Sequence, residues 1–157
     1  MICPHCHATI QADAQEGFFA KLVNALRHPV PSKAALAAQV LGELGDPRGV
    51  EPLLQALDQS HDPELQEAAI RALGELRDVR AANTLVRVLE DPNTFITLRV
   101  AAVEALDNIG GDEAVGALQR AAQSDEHAPG RAACKALEER SQQGSRLATK
   151  AELAKKS

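Results

Sequence analysis

The sequence contains no tryptophan and no tyrosine, and three phenylalanines are its only aromatic residues. A core must therefore come from elsewhere among its 45% apolar residues, and alanine and leucine dominate that share. Both are strong helix formers, whereas strands draw on β-branched and aromatic side chains, so this composition favours close-packed helices. Cysteine is scarce too, and three of them exclude a closed disulfide framework. No run approaches 18 consecutive apolar residues, and no basic segment followed by an apolar one opens the chain. The expectation is a soluble cytoplasmic protein with neither a membrane span nor a signal peptide.

Basic charge is also in short supply. Lys and Arg number 17 against 22 Asp and Glu, for a net charge of −5. The imbalance is uneven: residues 141–157 hold four basic residues and one acidic, leaving −8 on residues 1–140. An acidic body lacks the clustered Lys and Arg that a phosphate backbone requires, so no nucleic-acid groove is expected. At 157 residues the chain has length for one domain with flanking segments.

What the sequence does have is a repeat. The windows AQVLGELGDPRGVEPLLQAL (38–57), IRALGELRDVRAANTLVRVL (70–89) and VEALDNIGGDEAVGALQRAA (103–122) superimpose with one residue of slack. Leu41, Leu73, Leu106 and Leu137 recur every 31 to 33 residues, preceded by the pairs Leu36-Ala37, Ala68-Ala69, Ala101-Ala102 and Ala132-Ala133. A period near 32 is that of stacked helical hairpins. Within the second unit Leu65, Ala68, Ala69, Ala72, Leu73 and Leu76 make one helical stripe and Ala82, Leu85, Val86, Val88 and Leu89 another, on either side of the polar turn 77–80. Pro31 and Pro63 mark helix starts, and Asp91-Pro92 a helix end. Residues 18–28 read as a second helix lacking its first, and residues 129–140 as a first helix lacking its second. The expected architecture is an all-α solenoid of three full hairpins flanked by two half repeats.

The runs LGELGDPRGVEPLLQAL and LRVAAVEALDNIGGDEAVGAL resemble the short HEAT-like repeats of the phycobilisome-lyase type, over about residues 18–140. That family often carries Arg near the start of the first helix; here only Arg99 fills the position, with Ala34, Gln66 and Gly130 in the other repeats. The aromatic signature of tetratricopeptide repeats and the Thr-Pro-Leu-His pattern of ankyrin repeats are absent. The resemblance implies that the second helices line a concave binding face. On that face Asn24, Gln55, Arg87 and Arg120 would form one row, with Glu51 and Asn83 beside it. A groove for a protein partner is one reading of these six residues, and an ordinary solvated helix face is the other. The expected function is a non-catalytic protein-binding scaffold or adaptor, with the partner's identity open. The alternatives are a phycobilin lyase-type accessory subunit and a metal- or redox-responsive adaptor. No nucleophile–base pair, glycine-rich phosphate loop or His-Glu dipeptide stands in the repeats. His28 and His61, near second-helix ends, are expected to cap, with His127 in a loop. Cys134 shares the repeat position of Ala38, Ile70 and Val103 and is expected to be a small buried hydrophobe.

The opening Cys3-Pro4-His5-Cys6-His7 fits haem attachment, thiol redox chemistry or half of a zinc site. A haem or redox site is not the expected reading, since such a thiol pair is expected after a strand and the repeats are accounted for by their own stacking. Residues 3–14 resemble the first knuckle of a short zinc ribbon. The second Cys pair of that family is missing, with Gly17-Phe18-Phe19-Ala20-Lys21 in its place. Cys3, Cys6 and His7 are the candidate zinc ligands, completed within the chain or by a second chain in a zinc-sharing dimer; a metal-free relic is the competing reading. The organisation is thus an arm (1–17), a repeat domain (18–140) and a polar basic tail (141–157), with a flexible break expected at 142–145.

Overall fold

The computed structural model describes residues 17–124 and 128–154. Among them the chain forms eight α-helices and no strand: α1 (17–25), α2 (Pro31–Leu44), α3 (Val50–Gln59), α4 (Pro63–Leu76), α5 (Ala82–Glu90), α6 (Ile96–Ile109), α7 (Gly111–Ser124) and α8 (Ala128–Ala154). The all-α class of helical hairpins expected from the 32-residue period is the one observed. The hairpin repeats run α2–α3, α4–α5 and α6–α7, with α1 and α8 as the half repeats.

Two units divide between Asp78 and Val79, inside the turn of the second repeat. In the first unit α4 packs against both α2 and α3. In the second, α5 packs on α6 and α7, α6 on α7 and α8, and α7 on α8.

Local chemistry sets the helix ends. Pro31 and Pro63 occupy the first helical turn, where the missing N–H is no loss. Ahead of α4 the Asp62 carboxylate accepts from the N–H groups of Glu64 and Leu65 at 2.9 and 3.3 Å, a cap worth about 1 kcal/mol. At the other end of the first helices the chain reverses through a left-handed residue: Gly45 after α2 (φ 65°), and at the same repeat position Arg77 after α4 (φ 53°). An L-residue is disfavoured in that conformation, and Arg77 is the single non-glycine found there among the described residues. The α2–α3 turn adds a 3₁₀ turn, Pro47–Gly49, capped by Asp46, which accepts from the Arg48 N–H at 2.9 Å. The Arg48 guanidinium folds back on the same carboxylate at 2.6 Å and lies over the Phe19 ring, 4.8 Å from its centre, tying α1 to the turn.

The core is built on the repeating leucines. Leu41, Leu73 and Leu106 of the first helices, and Leu53, Leu85 and Leu118 of the second, are fully buried. Small residues around them let the helices approach. A Cβ placed on Gly42 would lie 2.8 Å from the Ala72 Cα, so only glycine fits where α2 crosses α4. One position after the repeat leucine in α6 stands Asp107 instead, which Arg140 of α8 engages through Nε on the carboxylate and Nη2 on the backbone carbonyl. The departures at the arginine position are also resolved. Arg99 Nε donates to the Leu89 carbonyl near the end of α5 at 2.8 Å, and Gln66 Nε2 donates to the Ser60 carbonyl at the end of α3 at the same distance. Gln66 thus does for the first unit what Arg99 does for the second: it satisfies an orphan carbonyl at the preceding helix terminus.

Two expectations are corrected. Cys134 is exposed, while its repeat equivalents Ala38, Ile70 and Val103 are buried. It stands on α8, and among the described residues no further repeat helix covers that row. Nor does the helix break at 142–145: α8 continues to Ala154. A lone Gly144 costs a helix about 1 kcal/mol, which the helix formers flanking it offset.

Candidate functional site

The six residues proposed for the binding face are all exposed: Asn24 on α1, Glu51 and Gln55 on α3, Asn83 and Arg87 on α5, and Arg120 on α7. The apolar stripe of each second helix turns them outward, as Leu53 and Leu57 of α3 and Leu85, Val86 and Leu89 of α5 are buried on the opposite side. The row divides between the units, Asn24 and Gln55 in the first and Arg87 and Arg120 in the second.

In the first unit Gln55 borders a recess of about 230 Å³. Arg27 and His28, following α1, stand on one side of it, and Pro52 and Gln59 of α3 on the other, with Leu26 and Leu65 contributing apolar surface. Asn24 and Glu51 lie outside this recess. His28 does not cap the end of α1 as expected: its Nδ1 accepts from the Val30 N–H ahead of α2 at 3.0 Å. His61 is exposed, and His127 lies outside the described residues. Pro52, Gln59 and Ser60 line the recess without having stood out in the sequence, since a helical wheel gives exposure and not concavity.

In the second unit Arg120 is engaged within the protein. Its guanidinium forks onto Glu90 at 2.8 and 3.0 Å, joining α7 to α5 across the same exposed face. Half-exposed pairs of this kind contribute at most about 1 kcal/mol, so Glu90 holds Arg120 in position without locking it. Two carboxylates beside the helices have pKa values below the ordinary 3.8. The Arg48 guanidinium, then its N–H, hold Asp46 down; the Asn93 N–H, with the Thr94 hydroxyl and the Asn93 side chain, does the same for Asp91.

Cys3, Cys6 and His7 lie outside the described residues. Among the described residues no three His, Cys, Asp or Glu side chains gather as a metal site, and no helix is long and apolar enough to cross a membrane.

A face that the sequence reading passed over lies on the first helices. Between α2 and α4 runs a groove of about 480 Å³ with Ala35, Ala68 and Ala72 in its lining and Glu64, Glu67 and Glu75 beside them. Leu36 also lines it and is 60% exposed. The sequence signal was present: the repeats have alanine at the positions equivalent to Leu36.

Comparison with known proteins agrees with this architecture. No curated protein matches the chain. Among solved structures it is similar to the crystal structure of an engineered protein from the Northeast Structural Genomics Consortium, at 26% identity and a TM-score of 0.58. That match covers 76% of this chain and spans 60% of the engineered protein's length. The PBS lyase HEAT-like repeat matches residues 98–124, over α6 and α7. The HEAT repeats family matches residues 19–97, half of the chain and the span from α1 to the start of α6. With hairpins of the expected period in both units, this chain belongs to the HEAT-repeat family and is an all-α, solenoid-class protein.

Proposed function

We propose that the chain is a non-catalytic protein-binding scaffold whose partner engages the exposed face of the second helices. The observation that carries this reading is the recess beside Gln55. It combines polar groups able to accept and donate hydrogen bonds with an apolar lining, which is the composition of a pocket for one protruding side chain of a partner. Arg87 and Arg120 on the second unit supply planar guanidinium groups suited to carboxylates, so the favoured partner surface is acidic or mixed in charge. Repeat proteins bind through such extended faces because every hairpin contributes a few residues to one surface. The Cys3, Cys6 and His7 arm takes no part in this reading.

The test is the triple variant Gln55→Ala, Arg87→Ala, Arg120→Ala, used as bait beside the wild type in affinity capture with mass spectrometry. Loss of the captured partner, with the helical circular dichroism unchanged, is the expected result. Equal capture by both would remove the second-helix face from consideration.

A further inference from the structure

We propose that the acidic groove between α2 and α4 is a docking site for the basic C-terminal segment, residues 145–157, of a second copy of this chain. This site is separate from the second-helix face and stands or falls independently of it.

The groove has the features of a seat for a helix. Ala35, Ala68 and Ala72 give it a shallow lining of small residues, and Leu36 leaves three-fifths of its surface exposed at the edge. Glu64, Glu67 and Glu75 stand on the α4 side with Arg71 the one cation among the lining residues. Arg71 is used, since it pairs with Glu67 at 2.7 Å. Glu64 accepts from the Ser32 hydroxyl at 3.1 Å, a neutral donor, and among the described residues neither Glu64 nor Glu75 has a cation at ion-pair distance. On the α2 side Gln39 binds Glu43 at 2.9 Å and adds no positive charge. The groove therefore combines exposed apolar surface with unneutralised carboxylates.

The same chain carries the complement. Residues 145–157 hold Arg146, Lys150, Lys155 and Lys156 against Glu152, the one strongly basic stretch of an acidic protein. Leu147, Ala151 and Ala154 fall four and three residues apart, the sequence spacing of a helical apolar stripe, with Arg146 and Lys150 adjacent in sequence. Leucine and alanine match a lining of alanine and leucine, and four cations match the carboxylates. The lengths are compatible as well: the 10 residues of the segment that α8 carries, 145–154, span about 15 Å, within the roughly 21 Å of the 14-residue α2.

The corresponding groove of the second unit is no rival. Between α6 and α8 it is lined by Glu104, Asp107 and Glu139 together with Lys135, and Arg140 has already engaged Asp107. Lys135 also stands 3.8 Å from Glu139, so Glu104 alone of its lining carboxylates has no cation at ion-pair distance among the described residues, against Glu64 and Glu75 in the α2–α4 groove, which is the more acidic seat of the two.

An interface formed by one short helix falls below about 1,200 Å² and belongs to the transient class, strengthened by low ionic strength. The experiment is sedimentation equilibrium of the full chain from low to high micromolar concentration, at low and high salt. Wild type is expected to self-associate with rising concentration at low salt and to lose most of that association at high salt. The groove variant Glu64→Lys, Glu75→Lys and the tail variant Arg146→Glu, Lys150→Glu, Lys155→Glu, Lys156→Glu should each weaken self-association at least tenfold while keeping the wild-type circular dichroism. Mixed together, the two variants pair reversed groove with reversed tail and should associate again. A wild type that stays monomeric throughout overturns the proposal, as it would if the segment docked within its own chain. So does a groove variant that associates like wild type, or a mixture of variants that fails to associate.

Discussion

The two units solve the same packing problem with different chemistry. Where α2 meets α4 the residue after the repeat leucine is Gly42, and the helices close by direct backbone approach to Ala72. Where α6 meets α8 the equivalent residue is Asp107, and the helices are joined by Arg140 reaching across to it. The first solution spends no charge, so Glu64 and Glu75, beside the Arg71–Glu67 pair, are left to define an acidic groove. The second consumes charge at the crossing and leaves a less acidic surface, with Glu104 its lining carboxylate outside an ion pair among the described residues. A repeat sequence thus sets the scaffold, and the residue at one repeated position decides whether the surface above it is neutral or available to a charged partner.

The largest effect is expected from changing the two crossing residues. Gly42→Val would press a branched side chain onto the Ala72 backbone, and overpacking of this kind costs about 3 kcal/mol. Asp107→Ala removes one member of a part-buried pair and should cost about 1 kcal/mol, less at high salt. Urea denaturation gives both totals, and native-state amide exchange should place the first loss in α2 and α4 and the second in α6 and α8. Equal costs would show that the crossing residue does not distinguish the units.

A smaller effect separates the two carbonyl ties. Arg99→Ala deletes a charge-assisted bond to Leu89 and should cost about 2 kcal/mol, whereas Gln66→Ala deletes a neutral bond to Ser60 and should cost about 1 kcal/mol. Gln66→Arg would give the first unit the second unit's tie and should raise stability toward the Arg99 value. Thermal unfolding of the three variants checks the order.

Arg77→Gly is expected to stabilise by up to about 1 kcal/mol, because it removes an L-residue from a left-handed conformation that Gly45 adopts without strain at the same repeat position. The measured gain is net of the extra backbone entropy that glycine brings to the unfolded chain. A denaturation midpoint that falls instead would mean that the Arg77 side chain contributes more than the strain costs.

The smallest effect is that of pH. Asp46 titrates below 3.8 in the folded chain because of Arg48, so its stabilisation is fully present above that value and is lost as pH falls through the lower folded pKa. At an exposed site this amounts to a few tenths of a kcal/mol. Asp46→Asn should flatten the acid side of the stability profile slightly and leave the neutral side parallel to wild type. Asp91, depressed by the Asn93 N–H in the connection to α6, offers the same measurement in the second unit.

Much of this was readable in advance where local rules apply. The spacing of Leu41, Leu73 and Leu106 located the core, because a residue repeated at the period of a hairpin must face the next hairpin. Proline at 31 and 63 located helix starts through its missing N–H. The outward placement of Gln55, Arg87 and Arg120 followed from the apolar stripe behind them. The concavity beside Gln55 did not, since Arg27 and His28 reach it from the turn after α1, some thirty residues away in sequence.

By itself, then, the sequence determined the helical class, the hairpin period, the helix starts and the inward leucines, all of which follow from propensity and periodicity over a few turns. Tertiary structure decided what depends on which neighbour is present. Cys134 occupies a core position by register and is exposed because no helix among those described lies over it. Gln66 replaces the family's arginine because a carbonyl at Ser60 stands within reach. Asp107 is tied down because Arg140 arrives from α8, whereas among the described residues no cation from α2 reaches Glu64 or Glu75. Periodicity assigns a face to each residue, and only packing brings the partner that gives the face its charge, its cover or its cavity.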